Sequence, residues 1–258
     1  VDDPRHLIAM PAASRLAAST RSAAMNPYLA FKLVHVALGC VALLSFWTAG
    51  MARKGSPLHV GAGKVYLLAM AGLLAATVPM CWLAWFAGHQ KMVMFLLYLL
   101  VITSTSVWLS WRAIRDRRDW ARYTGPVYRA LMWLNLASGL AIVGVGLFVA
   151  EQMQLIIVSF SLIGLLGFRN MRRFAAHPPT EPRWWMRQHL NAMLGNGVAT
   201  HIAFLSIGLP KLLPWLAGPV FQNVAWLAPL GVSALAGVYL TRKYLAAPVR
   251  AKGVPQRA

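Results

Sequence analysis

The chain has 258 residues, 59% of them hydrophobic and only 12% charged, with a formal net charge of +19. Soluble domains carry about 25% charged residues, and several apolar runs here approach or exceed the ~20 residues that cross a bilayer core, which excludes an ordinary aqueous fold. The 25 Lys and Arg against 6 Asp and Glu would point a soluble protein toward nucleic acid. Here they fall between apolar runs, where they determine topology, and no nucleic-acid partner is expected.

Residues 1–26 are rich in Ala, Ser and Arg and lack the apolar core of a signal peptide. They read as a disordered leader, or as sequence upstream of the true start. The first apolar run spans Pro27–Gly50 and holds His35 and Cys40; a short loop with Lys54, Gly55 and Pro57 follows. The second run, Leu58–Ala87, opens on His59 and contains Pro79, which should kink it. A turn at Gly88–Lys91 leads to the third run, Met92–Arg112. The loop Arg112–Pro126 is the most charged segment of the chain.

The fourth run, Val127–Ala150, carries Gly139, Gly144 and Gly146, a small-residue face suited to close helix packing. The fifth, Met153–Phe168, is short, and Arg169–Arg183 reads as a loop. The sixth is Trp184–Leu209, with His189 and His201, and the seventh is Val220–Leu245. Residues 246–258 form a basic tail. Most Lys and Arg residues lie after the first, third, fifth and seventh runs. The expected fold is therefore an all-α, polytopic transmembrane helix bundle over residues 27–245, with about seven spanning helices. Its N-terminus lies outside and its C-terminus in the cytoplasm. Anionic lipids are the expected partners of the cytoplasmic basic loops.

All six carboxylates, Asp2, Asp3, Asp116, Asp119, Glu151 and Glu181, lie outside the apolar runs. This disfavours an ion-coupled carrier with a carboxylate in the membrane and leaves no pair for acid–base hydrolysis. Walker A and HExxH patterns are absent, so no catalytic residue is assigned and an enzymatic role stays open. Cys40 and Cys81 sit at different depths, which makes a disulfide improbable.

Histidines remain. His35 and His201 each lie eight residues from the expected outer end of their run, ~12 Å deep. His59 and His189 each begin a run on the cytoplasmic side. Depth thus offers an outer pair, His35 with His201, and an inner pair, His59 with His189. Neutral imidazole is a good iron ligand, and helix bundles hold cofactors between facing helices. Two bis-imidazole b haems would form an electron path, with a quinone or another redox partner at its end. Glycines 39, 61, 63, 195 and 197 would leave space for a flat macrocycle. His189 and His201 fall roughly 120° apart around a regular helix, so both facing one cofactor face requires a break at Gly195-Asn196-Gly197. The competing reading is a non-redox carrier or accessory subunit whose histidines are structural or bind zinc or copper.

Two stretches resemble an uncharacterised bacterial family of multi-pass membrane proteins. His35-Val-Ala-Leu-Gly39 and His59-Val-Gly-Ala-Gly63-Lys-Val-Tyr66 look like that family's His-x3-Gly and His-x3-Gly-x2-Tyr elements. His189-Leu-Asn-Ala-Met193 is similar to its His-x3-Met segment. The resemblance covers about a third of the chain. It implies a bacterial inner-membrane protein, carries over His35, His59 and His189, and implies no established activity. His201 departs from the pattern, since the family has a small or hydroxyl residue there.

Overall fold

The computed structural model describes residues 27–149 and 154–245. The expected leader, residues 1–26, the junction between the fourth and fifth runs, where the sequence places a turn at Glu151-Gln152, and the basic tail, 246–258, lie outside the described residues. Among these there is no strand. The helices are α1 (Pro27–Met51), α2 (Pro57–Phe86), α3 (Gln90–Arg115), the short α4 (Trp120–Tyr123), α5 (Pro126–Phe148), α6 (Gln154–Ala176), α7 (Trp184–Ala203), α8 (Leu209–Leu212) and α9 (Pro219–Leu245). A π-helical turn, Phe204–Gly208, joins α7 to α8. Among the described residues, six helical segments are long and apolar enough to cross a membrane: α1, α2, α3, α5, the continuous Trp184–Leu212 segment and α9.

The starts follow from local chemistry. Pro57 opens α2 behind Ser56, whose side chain accepts from the His59 N–H at 3.2 Å; proline loses nothing at the first helical position, where its missing N–H has no partner. Pro126 and Pro219 open α5 and α9 in the same way. The reversals before α2 and α3 need residues at positive φ, which Gly55 (φ 83°) and Gly88 (φ 91°) supply.

Two boundaries differ from expectation. Helix α6 runs on through Arg169–Ala176 instead of ending at Phe168. Nothing in RNMRRFAA breaks a helix, and the extension is docked: Tyr128 Oη donates to Met171 O (3.1 Å) and Trp120 Nε1 to Phe174 O (3.3 Å). The Gly195-Asn196-Gly197 break is absent, because α7 is regular α-helix through Ala203 and the irregular turn comes later.

Helix α3 is the hub. It packs against α2, α5 and α7, while α1 lies along α2, α6 along α5 and α9 along α7. Lipid offers no hydrophobic drive between helices, so small residues and polar contacts must hold them. Asn135 on α5 donates to Thr105 Oγ1 on α3 (2.8 Å). Tyr98 Oη on α3 donates to Phe160 O and accepts from the Gly164 N–H of α6 (2.9 Å). A Cβ added at Gly139 would lie 3.0 Å from Leu165, and one at Gly146 2.8 Å from Val158, so these glycines let α5 and α6 approach closely. Gly144 faces open space. It shares neither of their helix faces, which corrects the expectation that all three form one packing surface.

At the end of the bundle that carries α4, Trp108, Tyr123, Tyr128, Phe174 and Trp184 form an aromatic cluster. Asp116 is buried there at 3% exposure, between Arg112 and Arg122 (3.5 Å). The Tyr123 hydroxyl is buried with no hydrogen-bond partner. Burial first, then Tyr128 and Asp116, hold its ionisation well above the ordinary tyrosine range. A raised folded-state pKa means that the stability is intact below the unfolded value of about 10 and falls as pH rises above it. Tyr123→Phe removes an unsatisfied polar group and should stabilise the protein by about 0.5–1 kcal/mol at neutral pH. It should also lessen the alkaline loss; thermal midpoints of both proteins at pH 7.5 and 10.5 check this.

Candidate functional site

The four expected histidines share one feature: each half-buried ring places Nδ1 on a backbone carbonyl. Carbonyls only accept, so Nδ1 carries the proton and, in the neutral ring, Nε2 keeps the lone pair.

His201 is spoken for at both nitrogens. Its Nδ1–H donates to Gly197 O (2.7 Å) and its Nε2 accepts from the Trp47 indole N–H (3.0 Å). Phe46 and Trp47 pack edge-on against it. His35 lies elsewhere. Its Nδ1–H is shared between Leu73 O (3.1 Å) and Thr77 Oγ1 (3.0 Å), the Thr77 hydroxyl itself donating to Leu73 O (2.7 Å). Phe46 and Trp47 are 11 and 12 residues beyond His35 on α1, about 16–18 Å along the helix. The structure therefore does not bring His35 and His201 together. Depth matching failed because the two runs do not end level: His201 meets Trp47, twenty residues from the start of α1, although it lies only eleven from Leu212 at the end of its own segment.

The inner histidines flank a side-chain bond between their helices: His59 lies seven residues before Tyr66 on α2, His189 eleven before Thr200 on α7, and Tyr66 bonds Thr200. His59 Nδ1–H donates to Ala49 O (2.9 Å) in the last turn of α1, whose carbonyls have no partner within the helix. Lys54 Nζ serves the same turn, donating to Ala49 O (3.1 Å) and Gly50 O (2.6 Å). Burial first, then Lys243 on α9, lower the Lys54 ammonium below the usual lysine range. His189 Nδ1–H donates to Ser110 O (3.0 Å) on α3, and one turn-pair further on Asn196 Nδ2 approaches the Ser110 hydroxyl (3.4 Å).

Helices α2 and α7 meet through side chains and not through close backbone contact. Tyr66 Oη bonds Thr200 Oγ1 at 3.0 Å, and Thr200 in turn donates to Asn196 O (2.9 Å). Gly61 and Gly63 face open space, whereas Gly195 is covered by Ser106 (3.0 Å) and Gly197 by the Phe46 ring (2.5 Å). Gly39 on α1 is open as well, so Gly39, Gly61 and Gly63 leave the room expected of the whole set, and Gly195 and Gly197 do not. Among the described residues, no three His, Cys, Asp or Glu side chains gather into a metal-holding group, so a site built here rests on two imidazoles. Both cysteines are free.

Sequence reasoning missed Lys54, Lys243 and Ser110 as members of this region. Lys54 was visible only as a topological charge, and no local pattern marks a backbone carbonyl such as Ser110 O. Searches against family models, curated proteins and solved structures find no match to this chain.

Proposed function

We propose that the chain is a bacterial inner-membrane protein that moves electrons through one b-type haem held by His59 and His189. One observation carries the reading. Both rings give Nδ1–H to a backbone carbonyl, Ala49 O and Ser110 O, as a metal-ligating histidine almost always does, and unlike His201, whose Nε2 accepts from Trp47, both keep Nε2 unbonded among the described residues. The Nε2 lone pairs belong to rings on α2 and α7, two helices that the Tyr66–Thr200 bond joins. Lys54 and Lys243 would supply positive charge toward haem propionates, and the bound group would supply one-electron chemistry, with a quinone as exchange partner. Ser110 and Ala49 act here as positioning groups that hold each ring in one tautomer.

The test is an absorption spectrum of detergent-purified protein expressed with ample haem. A Soret band and a reducible α band at about one haem per chain are expected. His59→Ala and His189→Ala should each remove the bands, while His35→Ala and His201→Ala leave them. A colourless wild-type protein, shown folded by thermal shift, overturns the reading. A second reading rests on the same bonds: each links two helices or completes a helix end, as in a carrier or accessory subunit with structural histidines. It expects loss of thermal stability in the His59 and His189 variants with no spectral component to lose.

The proposed topology has seven crossings, with the N-terminus outside and the C-terminus cytoplasmic. It is supported by the full-length antiparallel pairing of α5 and α6, from Gly146 with Val158 to Tyr128 with Met171. Reporter fusions after Lys91 and Lys211 should read outside, and those after Arg118 and Arg173 cytoplasmic. A cytoplasmic signal after Lys211 would mean that α6 does not cross.

A further inference from the structure

We propose that α2, α3 and the α3–α5 connection form a binding site for one acidic phospholipid, its acyl chain between α2 and α3 and its phosphate among the arginines beyond α3. The site rests on these helices spanning a membrane, and is independent of the haem. Two features meet at one corner. The first is an open groove of about 720 Å³ between α2 and α3, apolar except for Lys64 and Ser104. Small residues, Ala71 and Ala75, form part of its floor. From Lys64 to Val78 it follows α2 for about 21 Å, enough to take a chain through the ~15 Å half-thickness of a bilayer core.

The second is a polar cavity of about 150 Å³ lined by Arg115, Arg117, Arg118 and Arg122, with Asp116 and Asp119. The two carboxylates are already engaged. Asp116 pairs with Arg112 and Arg122, and Asp119 caps α4 by accepting the Arg122 N–H (2.8 Å). Among the described residues, Arg115, Arg117 and Arg118 have no carboxylate partner and are exposed. Trp111 joins the two features: it lines the groove, and the Arg115 guanidinium, which lines the cavity, sits 5.3 Å over its ring. A chain in the groove thus ends where positive charge collects, and Lys64 stands at the same end. A neutral lipid would fill the groove but leave these arginines uncompensated. Inorganic phosphate would satisfy the arginines and leave the groove to bulk lipid.

Native mass spectrometry of the full chain in detergent, mixed with phosphatidylglycerol or phosphatidylcholine of matched acyl chains, separates these cases. Retention of phosphatidylglycerol should exceed that of phosphatidylcholine by about thirtyfold, the scale of two arginines acting on a headgroup. Arg115→Gln/Arg118→Gln should bring the two lipids level, and Ala71→Trp, which fills the groove, should lower both. Equal retention of the two lipids by the wild-type chain overturns the proposal. So does complete displacement by millimolar inorganic phosphate together with an unchanged Ala71→Trp. A readout without a groove variant guards against misfolding: brominated-acyl phosphatidylglycerol should quench tryptophan fluorescence more than its phosphatidylcholine counterpart. That difference should shrink in Trp111→Phe, and its absence in the wild-type chain also counts against the site.

Discussion

Gly146→Leu should lower stability by about 3 kcal/mol, at the upper end of the cost of overpacking a tight contact, while Gly144→Leu should change it little. An added Cβ at Gly146 would already lie 2.8 Å from Val158, 3.1 Å from Ile157 and 3.5 Å from the Val158 backbone nitrogen. The side chains have some freedom to turn away, but the backbone of α6 does not, so a leucine must push the two helices apart. That separation would strain the Tyr98 bridge to Phe160 and Gly164 on the same helix. Gly144 has nothing within 4 Å, and there a leucine faces lipid and improves helix propensity. Thermal midpoints of the two variants in one detergent provide the measurement. Equal midpoints would mean that α5 and α6 are not closely packed.

Asp116→Ala should cost about 3 kcal/mol, at the low end of the range for stripping one partner from a buried ion pair. A carboxylate closing the C-terminal end of α3 opposes the negative pole of that helix. It is tolerated because Arg112, one turn back, and Arg122, in α4, both face it. Removal leaves the Arg112 side chain, only 18% exposed, without its counterion. Arg122 is largely exposed and loses little, which is why the figure stays near 3. Asp119→Ala loses a single N-cap bond to Arg122 and should cost about 1 kcal/mol. Midpoints of both variants, read beside wild type, test the ordering; an Asp119 variant as damaged as the Asp116 variant would contradict it.

The lengthwise plan of this molecule was legible in the chain. Prolines at helix starts and glycines at the reversals sit where steric rules allow, so Pro57, Pro126, Pro219, Gly55 and Gly88 mark boundaries close to those observed. Rotation about each helix was not legible. Gly144 differs from Gly139 and Gly146 only in which way it faces, and a run that is apolar all round carries no amphipathic signal to say so. The same ambiguity misplaced His201. Its real neighbours, Phe46 and Trp47, were hidden because depth along a helix says nothing of the partner across it. The pairing of His59 with His189 rests on position alone, both lying near the starts of their helices. Asp116 looked like a loop charge, because its burial depends on α4 folding back over it.

The π-helical turn at Phe204–Gly208 bears on how the chain is assembled. Pro210 has no N–H to give the Ser206 carbonyl four residues earlier. With its amide oriented to satisfy both neighbours, Gln222 on α9 donates to that oxygen (3.3 Å) and accepts from the Trp226 indole (3.0 Å). A carbonyl without a partner in hydrocarbon costs several kcal/mol, and Gln222 supplies one to Ser206, so this turn gains a bond only once α9 has been made. During biosynthesis the two helices should therefore leave the insertion machinery as a hairpin, and a nascent chain arrested before Pro219 would hold an incomplete turn that remains a substrate for membrane quality-control proteases.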